Sequence, residues 1–154
     1  MLIVLRVLAS SSADTLIKVW HRRTDGEQGY TCTKTLAGHD HVVSALHFDV
    51  AGDVLYSAGR DATLRAWGME TGHCLWSHKA HEDWIRCLSV TRHRERTMIA
   101  SAGNDRHIKL WEGQKAEGTL RGHQHVVECI AFVDPQKVPS SLHCTLGSAV
   151  LIES

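Results

Sequence analysis

An all-β repeat fold of four-stranded antiparallel sheets is predicted by three observations. The stretch Leu55-Tyr-Ser-Ala-Gly-Arg-Asp-Ala-Thr-Leu-Arg-Ala-Trp67 returns as Ile99-Ala-Ser-Ala-Gly-Asn-Asp-Arg-His-Ile-Lys-Leu-Trp111, and an earlier copy runs from Leu8 to Trp20. In each copy a Ser lies four residues before an Asp, and a Trp six residues after it. His39, His81 and His123 stand 42 residues apart. Between these marks, short runs with strand composition alternate with Gly- and Asp-bearing turns, about four runs to a unit.

The elements follow in order. Residues 2–10, 15–20 and 30–36 read as three strands of a first unit, with the polar, Gly-bearing 21–29 stretch as a loop. The second unit gives strands at 42–48, 54–58, 63–67 and 73–78, with turns at Gly52-Asp53, Gly59-Arg60-Asp61 and Glu70-Thr-Gly72. The third repeats this at 84–90, 98–102, 107–111 and 116–120. A fourth opens with Gly122-His123 and a strand at 126–132, and then the pattern stops. The expected organisation is a repeat domain over 1–134, made of a partial blade at 1–36, full repeats at about 37–78 and 79–120, and a partial repeat at 121–134. Residues 135–154 carry no Ser, turn Asp and Trp at the repeat spacing, and are expected as a non-repeat, disordered tail.

Composition narrows the function classes. Seventeen Lys plus Arg balance seventeen Asp plus Glu. A nucleic acid or anionic membrane partner, which favours a basic face, is therefore not expected. Five Cys are scattered without a Cys-x-x-Cys pair, which reads as reduced thiols in an intracellular protein rather than a disulfide framework. The apolar start is interrupted by Arg6 and runs into the first repeat copy, so it reads as a strand and not a secretory signal. No run approaches the roughly 20 apolar residues of a membrane span.

A period near 40–45 with four strands per unit and a Gly-His…Trp signature is the pattern of the WD40 β-propeller, here a partial one. Departures are small: Ala80-His81 replaces Gly-His, and His21, Gly68 or Glu112 follows the Trp instead of Asp. The resemblance implies that each set of repeated polar residues forms one buried hydrogen-bonded chain, from indole to hydroxyl to imidazole to carboxylate. The sets are Trp67, Ser57, His39 and Asp61, and Trp111, Ser101, His81 and Asp105. Trp20, Ser10 and Asp14 form a set without a His, and His123 stands without later partners.

Ser, His and Asp are also the residue types of a hydrolase triad, but here they recur with the blade period, whereas an enzyme needs one site. No Gly-x-Ser-x-Gly elbow accompanies them. His39-Asp-His41 and His123-Gln-His125 hint at zinc, yet no Cys or His pair recurs at finger spacing. No catalytic residue, metal or other cofactor is expected, nor a small-molecule substrate. The chain reads as a protein-interaction scaffold.

In propellers the binding face carries the strand starts and the residues before each turn Asp. The positions there are Asp40, His41, Arg60, Glu82, Asp83, Trp84, Asn104, Gln124 and His125. Trp84 has two readings, an exposed aromatic at a binding corner or an indole half-buried between blades. Trp76 falls on an outer strand, as packing. Arg92-His-Arg-Glu-Arg96 reads as a solvated hairpin tip on the opposite face.

Several stretches resemble the lissencephaly (nuclear-distribution) protein family in particular. They are Gly38-His-Asp-His-Val-Val-Ser44, Glu70-Thr-Gly-His-Cys74, His81-Glu-Asp-Trp-Ile-Arg86, Ile99-Ala-Ser-Ala-Gly-Asn-Asp105 and His123-Gln-His-Val-Val-Glu-Cys-Ile-Ala-Phe132. The likeness covers about residues 5–134. It implies a regulator of cytoplasmic dynein and microtubule-based transport, cytoplasmic and associated with the cytoskeleton or centrosome. In animals such proteins are also the noncatalytic subunit of a platelet-activating-factor acetylhydrolase. The family's N-terminal dimerisation motif and coiled coil have no counterpart in this sequence. Two other readings remain: a WD40 adaptor of another pathway, such as a ubiquitin-ligase substrate receptor, or a truncated propeller without autonomous function.

Overall fold

A computed structural model describes residues 6–25, 27–93, 95–133 and 149–151. Residues 1–5, which include the start of the first expected strand, Gly26 of the expected 21–29 loop, Arg94 of the basic run, and residues 134–148 and 152–154 lie outside them. The described residues are all β, in sheets laid side by side. β1 (Val7–Ser11), β2 (Ile17–Arg22) and β3 (Tyr30–Leu36) form a three-stranded sheet. β4 (Val43–Phe48), β5 (Val54–Gly59), β6 (Thr63–Gly68) and β7 (Cys74–Lys79) form the second sheet in sequence order. β8 (Ile85–His93), β9 (Arg96–Gly103), β10 (Ile108–Glu112) and β11 (Lys115–Leu120) form the third. These three sheets are antiparallel meanders. β12 (Ile130–Phe132) pairs in parallel with β13 (Ala149–Leu151). Among the described residues no helix is long and apolar enough to cross a membrane.

The first sheet has three strands where the other two have four, because no described strand stands inside β1 in the place of β4 and β8. β12 is shorter than the expected 126–132 strand. Its approach is instead pinned to the third sheet, where the Val127 N–H donates to the Gly103 carbonyl and the Val127 side chain is buried. β13 falls within the stretch expected as a disordered tail.

The cores lie between the sheets. Ile17, Val19, Leu36, Val43, Leu55 and Trp67 fill the space between the first and second. Tyr56, Ala58, Leu64, Ala66, Ile85, Leu88, Ile99 and Trp111 belong to the cluster between the second and third. Cys87, Ala100, Ala102, Ile108, Val127 and Ile130 join the third sheet to β12. Successive strand residues point to opposite faces. On β5, Leu55 therefore serves the first core and Tyr56 the second. Trp76 also packs, its ring 5.9 Å from that of Tyr56 and 5.3 Å from that of His78.

The tight Ser-x-Gly-x-Asp corner has a steric cause. The innermost strand bulges between Val43 and Ala45, and again between Ile85 and Cys87. The bulge pushes backbone against the neighbouring strand's last residue. A Cβ on Gly59 would meet the Val42 carbonyl oxygen at 2.6 Å, and one on Gly103 the Trp84 carbonyl oxygen at 2.0 Å. The residue after each turn Asp takes a left-handed conformation, with φ of 71° at Thr15, 61° at Ala62 and 65° at Arg106. The Asp side chain caps that turn: Oδ1 accepts from the N–H two residues on, in Leu16, Thr63 and His107 alike.

Candidate functional site

Two kinds of polar assembly arise from the repeats, one inside the sheets and one at their rim. Inside the second sheet, the Trp67 indole N–H donates to Ser57 Oγ at 2.8 Å. Ser57 Oγ lies 2.7 Å from His39 Nε2, and His39 Nδ1 lies 2.7 Å from Asp61 Oδ2. The third sheet repeats this through Trp111, Ser101, His81 and Asp105 at 3.0, 2.8 and 2.7 Å. The donors run one way. Indole donates to hydroxyl, hydroxyl to Nε2, and the Nδ1–H to carboxylate, which suits a neutral imidazole.

The electrostatics agree with that direction. Burial pushes the His81 imidazole below its ordinary range, against the pull of Asp105. Burial also works to raise the Asp61 carboxyl, but His39 and the Thr63 N–H and hydroxyl outweigh it and hold it well below the usual carboxylate range. Asp105 is lowered in the same way: burial opposes, and the His107 N–H and His81 prevail. These side chains are buried in the sheet, His39, Ser57, His81 and Ser101 all at 5% exposure or less. A buried, repeated and internally saturated chain offers no open position for a substrate. In the first sheet Trp20 donates to Ser10 at 2.9 Å, while Asp14 is exposed and serves its own turn. His123 is exposed.

At the rim, the turn between β5 and β6 presents Arg60 beside the start of β8. Its guanidinium carbon lies 4.4 Å from the Trp84 ring centroid. The His41 ring is 6.1 Å from the same indole, tilted by 44°. Trp84 is half-buried. Its carbonyl accepts from the Asn104 N–H at 2.9 Å, and its own N–H donates to Asp83 at 2.6 Å. Asn104 in turn accepts from Arg86 Nε at 2.6 Å, and Arg86 reaches Glu128 at 3.3 Å. A cleft of about 110 Å³ opens between Ser44, Arg60, Trp84, Ile85, Arg86 and Glu128.

Of the nine rim positions expected from sequence, the structure thus brings His41, Arg60, Trp84 and Asn104 into one cluster. Asp83 is exposed and joins that cluster through its carboxylate, which accepts from the Trp84 N–H, whereas Asp40, Glu82, Gln124 and His125 are exposed and make no side-chain bond to the cluster among the described residues. Sequence reasoning left Ser44, Arg86 and Glu128 out of the site. Their numbers held the signal, since they stand 42 residues apart and occupy one repeat position. The basic hairpin carries paired charges: Arg92 with Glu95, and Arg96 with Glu112 at 3.0 Å. Among the described residues no group of three or more His, Cys, Asp and Glu is placed to hold a metal ion.

The comparisons with known proteins agree with this architecture. The family described as "WD domain, G-beta repeat" matches residues 30–68 and 72–112. Nuclear distribution protein nudF of Aspergillus niger is 36% identical over 132 residues, 84% of this chain and 28% of that protein. Nuclear distribution protein PAC1 of Fusarium vanettenii is 39% identical over 139 residues, covering 84% and 30%. The nudF protein of Emericella nidulans is 41% identical over 115 residues, covering 72% and 26%. The chain therefore spans less than a third of the length of these relatives. The solved structure of U3-55K superposes with a TM-score of 0.69 at 24% identity, over 80% of this chain and 36% of that one, which shows the shared fold. With the repeat model matched over residues 30–68 and 72–112, more than half of its length, the chain belongs to the WD40 repeat family.

Proposed function

We propose that this protein is a non-catalytic interaction scaffold that engages the cytoplasmic dynein motor through the rim where Arg60 covers Trp84. The single observation that carries the reading is that stack, a large aromatic held by a guanidinium at the edge of a charged cleft. Aromatic and Arg side chains of this kind dominate protein–protein binding energy when a partner covers them. The identity of the partner rests on the similarity to nuclear distribution proteins and on the family resemblance of the His81–Arg86 and His123–Phe132 stretches. In this reading the remaining rim residues, Asp40, Glu82, Asp83, Gln124 and His125, form the polar border of the interface. The work is done in the cytoplasm at microtubules, with neither nucleic acid nor membrane as partner.

The test is capture of purified dynein motor domain by the immobilised chain, and by its Trp84→Ala and Arg60→Ala variants. A hot-spot truncation costs roughly 2 kcal/mol or more, so binding should fall more than about tenfold. Capture by the variants equal to that by the parent overturns the reading of the rim. No capture by any of them overturns the partner.

A further inference from the structure

Trp84 opens the third sheet, and both ends of the residue are held. Its N–H donates to Asp83 Oδ1 at 2.6 Å, and its carbonyl accepts from the Asn104 N–H at 2.9 Å. The next peptide is held from the second sheet, where the Ser44 hydroxyl donates to the Ile85 carbonyl. Fixing these peptides fixes the Cα–Cβ direction, and with it where a staggered indole can stand.

The Asn104 side chain is occupied as well. Its Oδ1 accepts from Arg86 Nε at 2.6 Å. Arg86 then reaches into the fourth repeat, where a terminal guanidinium nitrogen lies 3.3 Å from Glu128 Oε2. A guanidinium is planar, so meeting Asn104 with one N–H and Glu128 with another sets its orientation from both sides. Glu128, Arg86, Asn104 and Trp84 form one line of contacts, which ends at the ring that Arg60 covers.

The second sheet lacks this brace. The same repeat positions there hold Val42, Ser44 and Arg60. The Arg60 N–H bonds the Val42 carbonyl at 2.9 Å, as Asn104 bonds that of Trp84. Ser44, however, donates to the backbone carbonyls of Ala58 and Ile85 rather than to the residue before the turn Asp. The Arg60 guanidinium crosses instead to the next sheet and lies on Trp84. One repeat thus sends that residue across the joint, and the next ties it down.

We propose that Arg86 is the positioning residue of the Arg60–Trp84 rim, with Glu128 of the following repeat holding it in register. Arg86 steadies Asn104, Asn104 holds the Trp84 peptide, and the indole stands ready under Arg60 before a partner arrives. Such preorganisation raises affinity, because a partner need not order these side chains on binding. The proposal rests on the reading of this rim as the partner site, while the brace itself belongs to the free protein.

The experiment uses the full chain labelled with 5-fluorotryptophan. The ¹⁹F resonance of Trp84 is assigned by its loss in Trp84→Phe. Arg86→Ala and Arg86→Lys should each move or broaden that resonance and leave the other four tryptophans in place. Lysine keeps the charge but has no planar fork to span both partners. Glu128→Ala should act in the same direction. Glu128 is 60% exposed at the far end of the line, so this variant keeps the fold and decides the matter should Arg86→Ala unfold. Capture of dynein motor domain should fall about tenfold in Arg86→Ala and in Arg86→Lys alike, the value of one hydrogen bond to a charged group. A Trp84 resonance unmoved in both Arg86→Ala and Glu128→Ala overturns the proposal. So does capture restored by Arg86→Lys, which would make Arg86 a point charge that meets the partner. Absence of capture by the parent overturns the partner, and the spectra of the free protein still decide the brace.

Discussion

The guanidinium of Arg60, from one sheet, lies 4.4 Å from the centroid of the Trp84 indole, which opens the next. The two residues come from different repeats and meet because the β5–β6 turn and the start of β8 share a rim. Arg60 is exposed, so the pair contributes at the lower end of cation–π energies, about 0.5–1 kcal/mol. Arg60→Ala should lower stability by no more than that in urea unfolding. A larger loss would mean that Arg60 supports the fold beyond this stack.

The two complete polar chains predict an asymmetry among three equivalent aspartates. Asp61 and Asp105 each accept from an imidazole that is fully buried. Removing either leaves that group unmatched, so Asp61→Ala and Asp105→Ala should each cost about 2–3 kcal/mol. Asp14 is exposed and has no such partner, so Asp14→Ala should cost well under half as much. Equal losses at all three positions would show that the carboxylate acts only through its turn.

The same groups set a pH dependence. Asp61 and Asp105 have depressed folded values, so their stabilisation is present above the ordinary carboxylate value and is lost as pH falls through the folded one. His81 is also lowered, so its neutral form favours the folded state, and that contribution begins to fail as pH drops below about 6.5. The thermal midpoint should therefore decline from about pH 6.5 downward and steepen below about pH 4. A midpoint flat from neutral to strongly acid pH would contradict this assignment.

Gly103 has the least room. With Trp84 backbone 2.0 Å from an added Cβ, neither a flexible side chain nor a rotamer change can relieve Gly103→Ala. The strand must shift, at a cost of about 1–3 kcal/mol or more. Gly113→Ala, with no atom within 4 Å but a φ of 55°, should cost less, through backbone strain alone. Circular dichroism melts of the two variants would rank them.

Thiol chemistry should separate the cysteines. Burial, with Cys129 and Glu128 nearby, pushes the Cys87 thiol up to about 12. Cys32, Cys74 and Cys129 are exposed. Iodoacetamide at pH 8 should label those three first and leave Cys87 intact until the protein unfolds, as read by peptide mass spectrometry.

The strands and their order were legible in the sequence because their period-2 runs are bounded by Gly and Asp turns that recur with the repeat. The polar chains were legible as residue types, since Ser57, Asp61 and Trp67 lie within one copy. The rim cluster was only half legible. Arg60 and Trp84 could be placed on one face by repeat geometry, but their stacking is a contact between repeats that no local pattern encodes. Arg86 and Glu128 were missed because residue types differ at that repeat position, Ser in one copy and opposite charges in the next two. The short β12 was illegible for a related reason. Its composition is that of a strand, but strand length depends on partners, and among the described residues three of them find one.

The division of β5 between two cores has a mechanical corollary. Leu55 and Tyr56 are adjacent in sequence yet belong to different clusters, so the strand cannot be loosened from one side without disturbing the other. Each sheet thus holds its neighbours in place as a keystone does, and damage to one should be felt one sheet away in both directions. Melting of the first, second and third sheets should then be sequentially coupled rather than independent, as expected of arrays whose units contact only their neighbours.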